Sequence, residues 1–164
     1  MQVVHDFALL APVPHEHLES GRPVAEKTGF VAFGTNKWEL FRKLDDMREG
    51  DPVPVLIYPS DEGIAAKASF IVRWFGWYID HVESNNGRHP KGMSHRPPST
   101  EKYAADNIGH WAAFWHVKGL HELPPEKRVS IGKIQSYAAG GWRKNAPPRG
   151  PELVILPEIL SYES

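Results

Sequence analysis

"NKWELFRKLDDMREGD", residues 36–51, runs directly into "PVPVLIYPS", residues 52–60, and this junction decides the fold. Asn36 is suited to cap a helix, because its side chain can accept an orphan amide hydrogen bond while Glu39, three residues on, reaches back. At 100° per residue Leu40, Phe41, Leu44 and Met47 fall within an arc of about 120°, which predicts an amphipathic helix facing a core. Trp38 lies about 60° outside that arc, at a rim. Gly50 supplies the backbone freedom to leave the helix, and Asp51-Pro52 forces an extended path into a strand carrying Val55 and Ile57 and ending at Tyr58 and Ser60.

Outward from the junction the chain alternates apolar runs with turn signals. Val3 to Leu10 reads as a first strand closed by Pro12 and Pro14, followed by a short helical turn over His15 to Ser20. "TGFVAFG" reads as a second strand. In "AKASFIVRWFGWYID" period-two alternation sets Phe70, Val72, Trp74 and Tyr78 on one face and Ile71, Arg73, Phe75 and Trp77 on the other. Both faces are largely apolar, which predicts a strand in a closed or covered sheet. "PSTEKYAAD" reads as a short helix, "WAAFWHVKGL" as an aromatic strand, "VSIGKIQSYAAGG" as a small helix and "PELVILPEIL" as the last strand. The sum is a single α+β domain over residues 1–164, with a mixed sheet of five or six strands curled into a barrel and flanked by short helices.

Composition agrees with one ordinary folded domain: 164 residues, 41% hydrophobic and 24% charged. With no cysteine, disulfides and thiolate metal sites are excluded. No apolar run approaches the ~20 residues of a membrane helix. No basic region precedes the short apolar stretch at the N-terminus, so the expectation is a cytoplasmic protein without a secretory signal or membrane partner. The net charge of −1 conceals an asymmetry, since residues 1–82 hold 8 Lys/Arg against 12 Asp/Glu and residues 83–164 hold 11 against 8. Two stretches lack acids altogether, Ser84 to Thr100 and Lys127 to Pro151. They present the local positive potential that a polyanion meets, or are two solvated loops.

Asn36, then Met47, Gly50 and Asp51, then Tyr58 and Ser60, resemble in order and spacing a motif of EVE domains in the PUA-like superfamily. In that motif a helix begins near an Asn, ends in a Met-x-x-Gly-Asp turn and enters a strand ending Tyr-His-Ser. "WAAFWHVKGLHELPPEKRVSIGKI" is similar to the second half of that family, so the resemblance spans most of residues 30–135. Thr35 and Pro59 stand where the family has Arg and His, and "NAPPRGPEL" resembles instead the Pro-Pro-rich ending of the related ASCH domains. The resemblance implies a PUA-like barrel that binds DNA or RNA and reads a modified or flipped-out base. It leaves open whether a nuclease or methyltransferase acts alongside.

An aromatic face with hydroxyls and an amide is what a planar heterocycle requires, since stacking holds any base and hydrogen bonds read its edge. The expected pocket is Asn36, Trp38, Tyr58 and Ser60, with Trp74 and Trp77 drawn from an otherwise structural group of aromatics. Lys37, Arg88, Lys91, Arg96, Arg143 and Lys144 are the expected phosphate contacts. The competing reading of Tyr58 and Ser60 is an ordinary strand end.

Neither a cofactor nor a metal is expected. "HEH" at His15 to His17 could converge on an ion, but its prolines and Glu16 read as a surface turn, and the other histidines show no i, i+4 pairing. The enzyme alternative is an ASCH-like hydrolase acting on a modified nucleoside or on RNA. Its Lys-Thr chemistry finds only Lys27 and Thr28, which are adjacent and would point to opposite faces of a strand. A protein-interaction module with exposed aromatics is the third class.

Overall fold

The structure, a computed structural model, describes residues 1–61, 70–138 and 150–163. Its frame is a six-stranded mixed sheet of β1 (Phe7–Val13), β2 (Val31–Thr35), β3 (Val53–Pro59), β5 (Trp74–Glu83), β6 (Ala113–Glu122) and β8 (Glu152–Ile155). A separate two-stranded pair joins β4 (Ile71–Val72) to β7 (Val129–Ser130). The large sheet has the order β2-β6-β5-β3-β1-β8, with β1 and β3 parallel and the other ladders antiparallel. Among the described residues three α-helices accompany it, α1 (His15–Thr28), α2 (Trp38–Arg48) and α3 (Ala104–Asn107).

Alternation along the strands builds two cores. One face gathers Leu9 and Val13 of β1, Phe33 of β2, Val55 and Ile57 of β3, Trp74 and Tyr78 of β5, and Trp115 and Val117 of β6. Leu18 and Ala25 of α1 and Phe41 and Leu44 of α2 cover them. The opposite face gathers Leu10, Leu56, Tyr58, Phe75 and Trp77 under Val72, Ile131, Ile134 and Leu160. Central strands buried on both sides explain the unbroken apolar runs "FALLAPV" and "VPVLIYP".

Curvature creates the site. Val13 of β1 and Phe33 of β2 line the same cavity although three strands separate β1 from β2 in the sheet order. In a flat sheet they would stand about 19 Å apart at the usual strand spacing, so the sheet curls strongly. Among the described residues it stays open along its hydrogen-bonded ladders, with β2 and β8 as edges. The expected mixed α+β sheet of five or six strands with flanking helices is therefore present, with six strands, and among the described residues it does not close into a barrel.

Several local expectations shift. The first strand runs through Pro12, because β8 pairs only with Phe7–Leu10 and one side of Pro12 has no ladder to supply. The turn over His15 to Ser20 is the start of a 14-residue helix that continues past Pro23 and closes at Gly29. Arg73 interrupts the long β segment, so Phe70 and Val72 pack with the second core whereas Trp74 and Tyr78 face the first. Within 129–141, residues up to 138 form β7 and a 3-10 turn over Ile131–Lys133, not an α-helix.

The junction itself folds largely as expected. Phe41 and Leu44 are fully buried, Leu40 and Met47 pack at their margin, and Gly50 leaves the helix at φ 84°. The helix begins two residues later than Asn36, however, with Lys37 at its cap position and no side-chain cap bond. Asn36 Oδ1 instead accepts the Ala112 backbone N–H at 2.8 Å, tying the end of β2 to the segment entering β6.

Candidate nucleic-acid interface

A cavity of about 470 Å³ opens where the curled sheet brings the ends of β1 and β2 together. Pro12, Val13 and Pro14 form one wall and Phe33, Gly34 and Thr35 another, with Asn36 and Lys37 leading into α2 at the mouth. The excursion between β5 and β6 supplies the third wall, through Arg96, Thr100, Asp106, His110 and Trp111, and Trp115 of β6 lines the interior. The size falls within the range of ordinary ligand pockets and is ample for one heterocycle.

Arg96 holds that third wall in place. Its side chain is 2% exposed, and its guanidinium donates to Asn107 Oδ1 at 2.9 Å, to the Ala32 carbonyl of β2 at 2.6 Å and to the Asp106 carbonyl at 2.9 Å. Burial pushes the Arg96 guanidinium down to about 10, with Asp106 opposing the shift, so it stays charged at neutral pH. One planar fork thereby pins a loop to a strand, a geometry that lysine cannot reproduce.

The cavity combines aromatic and polar surface. Trp111 lies against Gly34 so closely that a Cβ there would stand 2.4 Å from the indole, and its Nε1–H donates to Asp106 Oδ1 at 3.3 Å. The indole of Trp115 is buried, and its Nε1–H has no hydrogen-bond partner among the described residues. Asp106 Oδ2 stands 3.6 Å from His17 Nε2, and His17 Nδ1 is 2.6 Å from Ser99 Oγ. Burial lowers the His17 pKa, against the opposing pull of Asp106 and Glu16. At the mouth Lys37 Nζ donates to the Pro151 carbonyl at 3.2 Å.

Serine, histidine and aspartate in line invite a nucleophile reading. Ser99 does not line the cavity, however, and its hydroxyl also lies 2.7 Å from Ser20 Oγ and 3.2 Å from the Glu16 carbonyl. That network joins α1 to the 3-10 turn at Pro98–Lys102. Elsewhere His89 Nε2 meets His116 Nε2 at 3.0 Å, and His116 Nδ1 meets Asp80 Oδ1 at 2.6 Å. Among the described residues no group of three or more His, Asp or Glu is arranged to hold a metal ion.

Of the residues expected from sequence, Asn36, Lys37 and Arg96 line this cavity. Tyr58, Trp74 and Trp77 do not: they are 0, 2 and 1% exposed, with Tyr58 and Trp77 in the opposite core. Ser60 bonds through its N–H to the Val13 carbonyl, next to the cavity wall but not lining it. Trp38 is 40% exposed, lies under the Arg42 guanidinium and borders a smaller depression with His81 and Glu83. Arg88 and Lys91 are exposed on the 84–100 loop, where Arg88 lines a separate groove of about 330 Å³ with Tyr103 and Ile108. Arg96 is turned inward as a structural pin, which leaves it little capacity as an exposed phosphate contact. Arg143 and Lys144 lie outside the described residues.

Phe33, Trp111 and Trp115 thus build the aromatic wall, with His17 and Asp106 as polar lining that sequence reasoning missed. His17, Leu18, Gly21 and Ala25 form the buried stripe of α1, a helical periodicity that was legible but masked by Pro23. Asp106 and Trp111 carried no periodic signal, because a long-range contact to Arg96 and Gly34 places them. Among the described residues no helix is long and apolar enough to cross a membrane. No protein-family model matches the chain, and no curated protein matches it significantly.

Proposed function

We propose that the chain is a nucleic-acid reader with a PUA-like fold, and that it takes a single base, modified or turned out of its helix, into the cavity at the curl of the sheet. The observation that carries the reading is the convergence of Asn36, from the motif resembling EVE domains, and its neighbour Lys37 with the Trp111 and Trp115 indoles around one cavity that also holds Asp106. The half-buried Trp111 indole offers a face that stacks on any base, at about 1–3 kcal/mol, which largely offsets the few kcal/mol of extracting a base from a duplex. Lys37 at the mouth and Arg88 and Lys91 on the acid-free loop meet the phosphates. The curled six-stranded sheet and the parallel β1–β3 ladder support the superfamily, while the EVE or ASCH branch rests on the motifs alone.

The test is a titration of single strands and duplexes carrying unmodified, methylated or hydroxymethylated bases, at two salt concentrations. Binding that depends on the base and weakens with salt supports the reading. Absence of binding at low salt contradicts it.

The hydrolase alternative draws on the line from Ser99 through His17 to Asp106. A nucleophile must meet substrate, and the Ser99 hydroxyl stands off the cavity, so we expect no turnover of acylated cytidine or RNA. Product release abolished in Ser99→Ala would reverse the ranking of the two readings.

A further inference from the structure

Among the described residues Asp106 is the one carboxylate lining the cavity. An ionised carboxylate only accepts hydrogen bonds, at about four lone-pair positions. Within the protein, Trp111 Nε1–H occupies one position on Oδ1 at 3.3 Å, and His17 Nε2 stands at 3.6 Å from Oδ2. Capacity for further donors remains, and the side chain is 20% exposed. At the mouth of the same cavity Asn36 commits its carbonyl oxygen to the Ala112 N–H, which leaves the amide N–H groups of this exposed side chain as donors to a ring acceptor.

From this pattern we infer that the site selects bases bearing an amino group, with Asp106 as the specificity-determining residue. The inference rests on the base-reading proposal above. Cytosine presents N4–H2, adenine N6–H2, and guanine N1–H with N2–H2, each beside an acceptor that an amide donor can meet. Thymine and uracil present a single N3–H between two carbonyl oxygens, so a carboxylate taking that proton also faces a carbonyl lone pair. A partly buried carboxylate set against an acceptor loses hydration without gaining a donor, which costs more than a missing contact in water.

Asp106 can be altered without dismantling the wall. Arg96 bonds the Asp106 backbone carbonyl at 2.9 Å, whereas its nearest side-chain approach to Oδ1 is 3.9 Å. Asp106→Asn is isosteric, keeps an acceptor for Trp111, and replaces half of the carboxylate with a donor.

The experiment uses the full chain and single strands of twelve abasic residues carrying one A, C, G or T at the centre. We expect the A, C and G strands to bind about tenfold or more tighter than the T strand. In Asp106→Asn, shown folded by its thermal transition, the four affinities should converge to within about threefold. If the native protein binds T as tightly as the others, or Asp106→Asn keeps the native ratio, the inference is overturned. If no strand exceeds the all-abasic control, the base-reading proposal itself fails, a result distinct from either.

Discussion

Gly34 and Trp111 are in face-to-backbone contact: a Cβ on Gly34 would lie 2.4 to 2.5 Å from three atoms of the indole, closer than any relaxed packing allows. The absence of a side chain at one position of β2 therefore sets the position of the aromatic wall. Gly34→Ala should push Trp111 off the sheet, weaken its bond to Asp106 and cost about 1–3 kcal/mol by overpacking. Urea unfolding monitored by tryptophan emission measures both effects. An unchanged midpoint and an unchanged native spectrum would contradict the contact.

Arg96 should be among the most sensitive positions of the chain. Arg96→Lys keeps the charge but loses the planar fork, leaving the Ala32 carbonyl and Asn107 Oδ1 without their donor. Destabilisation of about 3 kcal/mol or more is expected. Arg88→Ala and Lys91→Ala, at exposed positions of the same loop, should stay within about 0.5 kcal/mol of the native protein. Equal losses in all three variants would contradict the structural role of Arg96.

The two exposed cations should act on binding instead. If Arg88 and Lys91 meet phosphates, each alanine variant lowers oligonucleotide affinity for every base alike and reduces the salt slope by about 1. A slope unchanged in both variants would remove this loop from the interface.

His89 and His116 give the fold a defined response to acid. The Asp80 carboxylate oxygen accepts from His116 Nδ1–H, so His116 Nε2 accepts from His89 Nε2–H, and His89 Nδ1 accepts the Lys91 N–H at 3.0 Å. Burial, then the neighbouring His116, lowers the His89 pKa to about 4, and burial lowers that of His116. A depressed folded pKa means that the unfolded chain binds the proton first as pH falls. The contribution is thus complete above the ordinary value of 6.5 and lost as pH drops from there towards about 4. Thermal midpoints of native protein and His89→Gln between pH 7 and 4 should show a steeper fall in the native chain. Parallel curves would contradict the buried neutral pair.

Sequence reasoning reached α2 and β3 because their signals are local. Leu40, Phe41, Leu44 and Met47 recur at helical spacing, and Gly50 marks the exit. The motif also drew attention to Asn36, which lines the cavity. Tyr58 was misplaced because Ile57 and Tyr58 face opposite cores and both cores are apolar. Alternation then separates the faces without saying which one holds the cavity. Asp106 and Trp111 were out of reach for another reason: their positions follow from Arg96 bonding across to β2, and no local period encodes such a contact.

The central claim is that a base enters the cavity lined by Trp111, and the indole N–H resonances of the protein report on it directly. In a ¹H–¹⁵N titration with an oligonucleotide carrying an extruded base, the Trp111 resonance should shift while those of the buried Trp74 and Trp77, which do not line the cavity, stay in place. Shifts confined to Trp38, or to Trp74 and Trp77, with Trp111 unmoved at saturation, would contradict it.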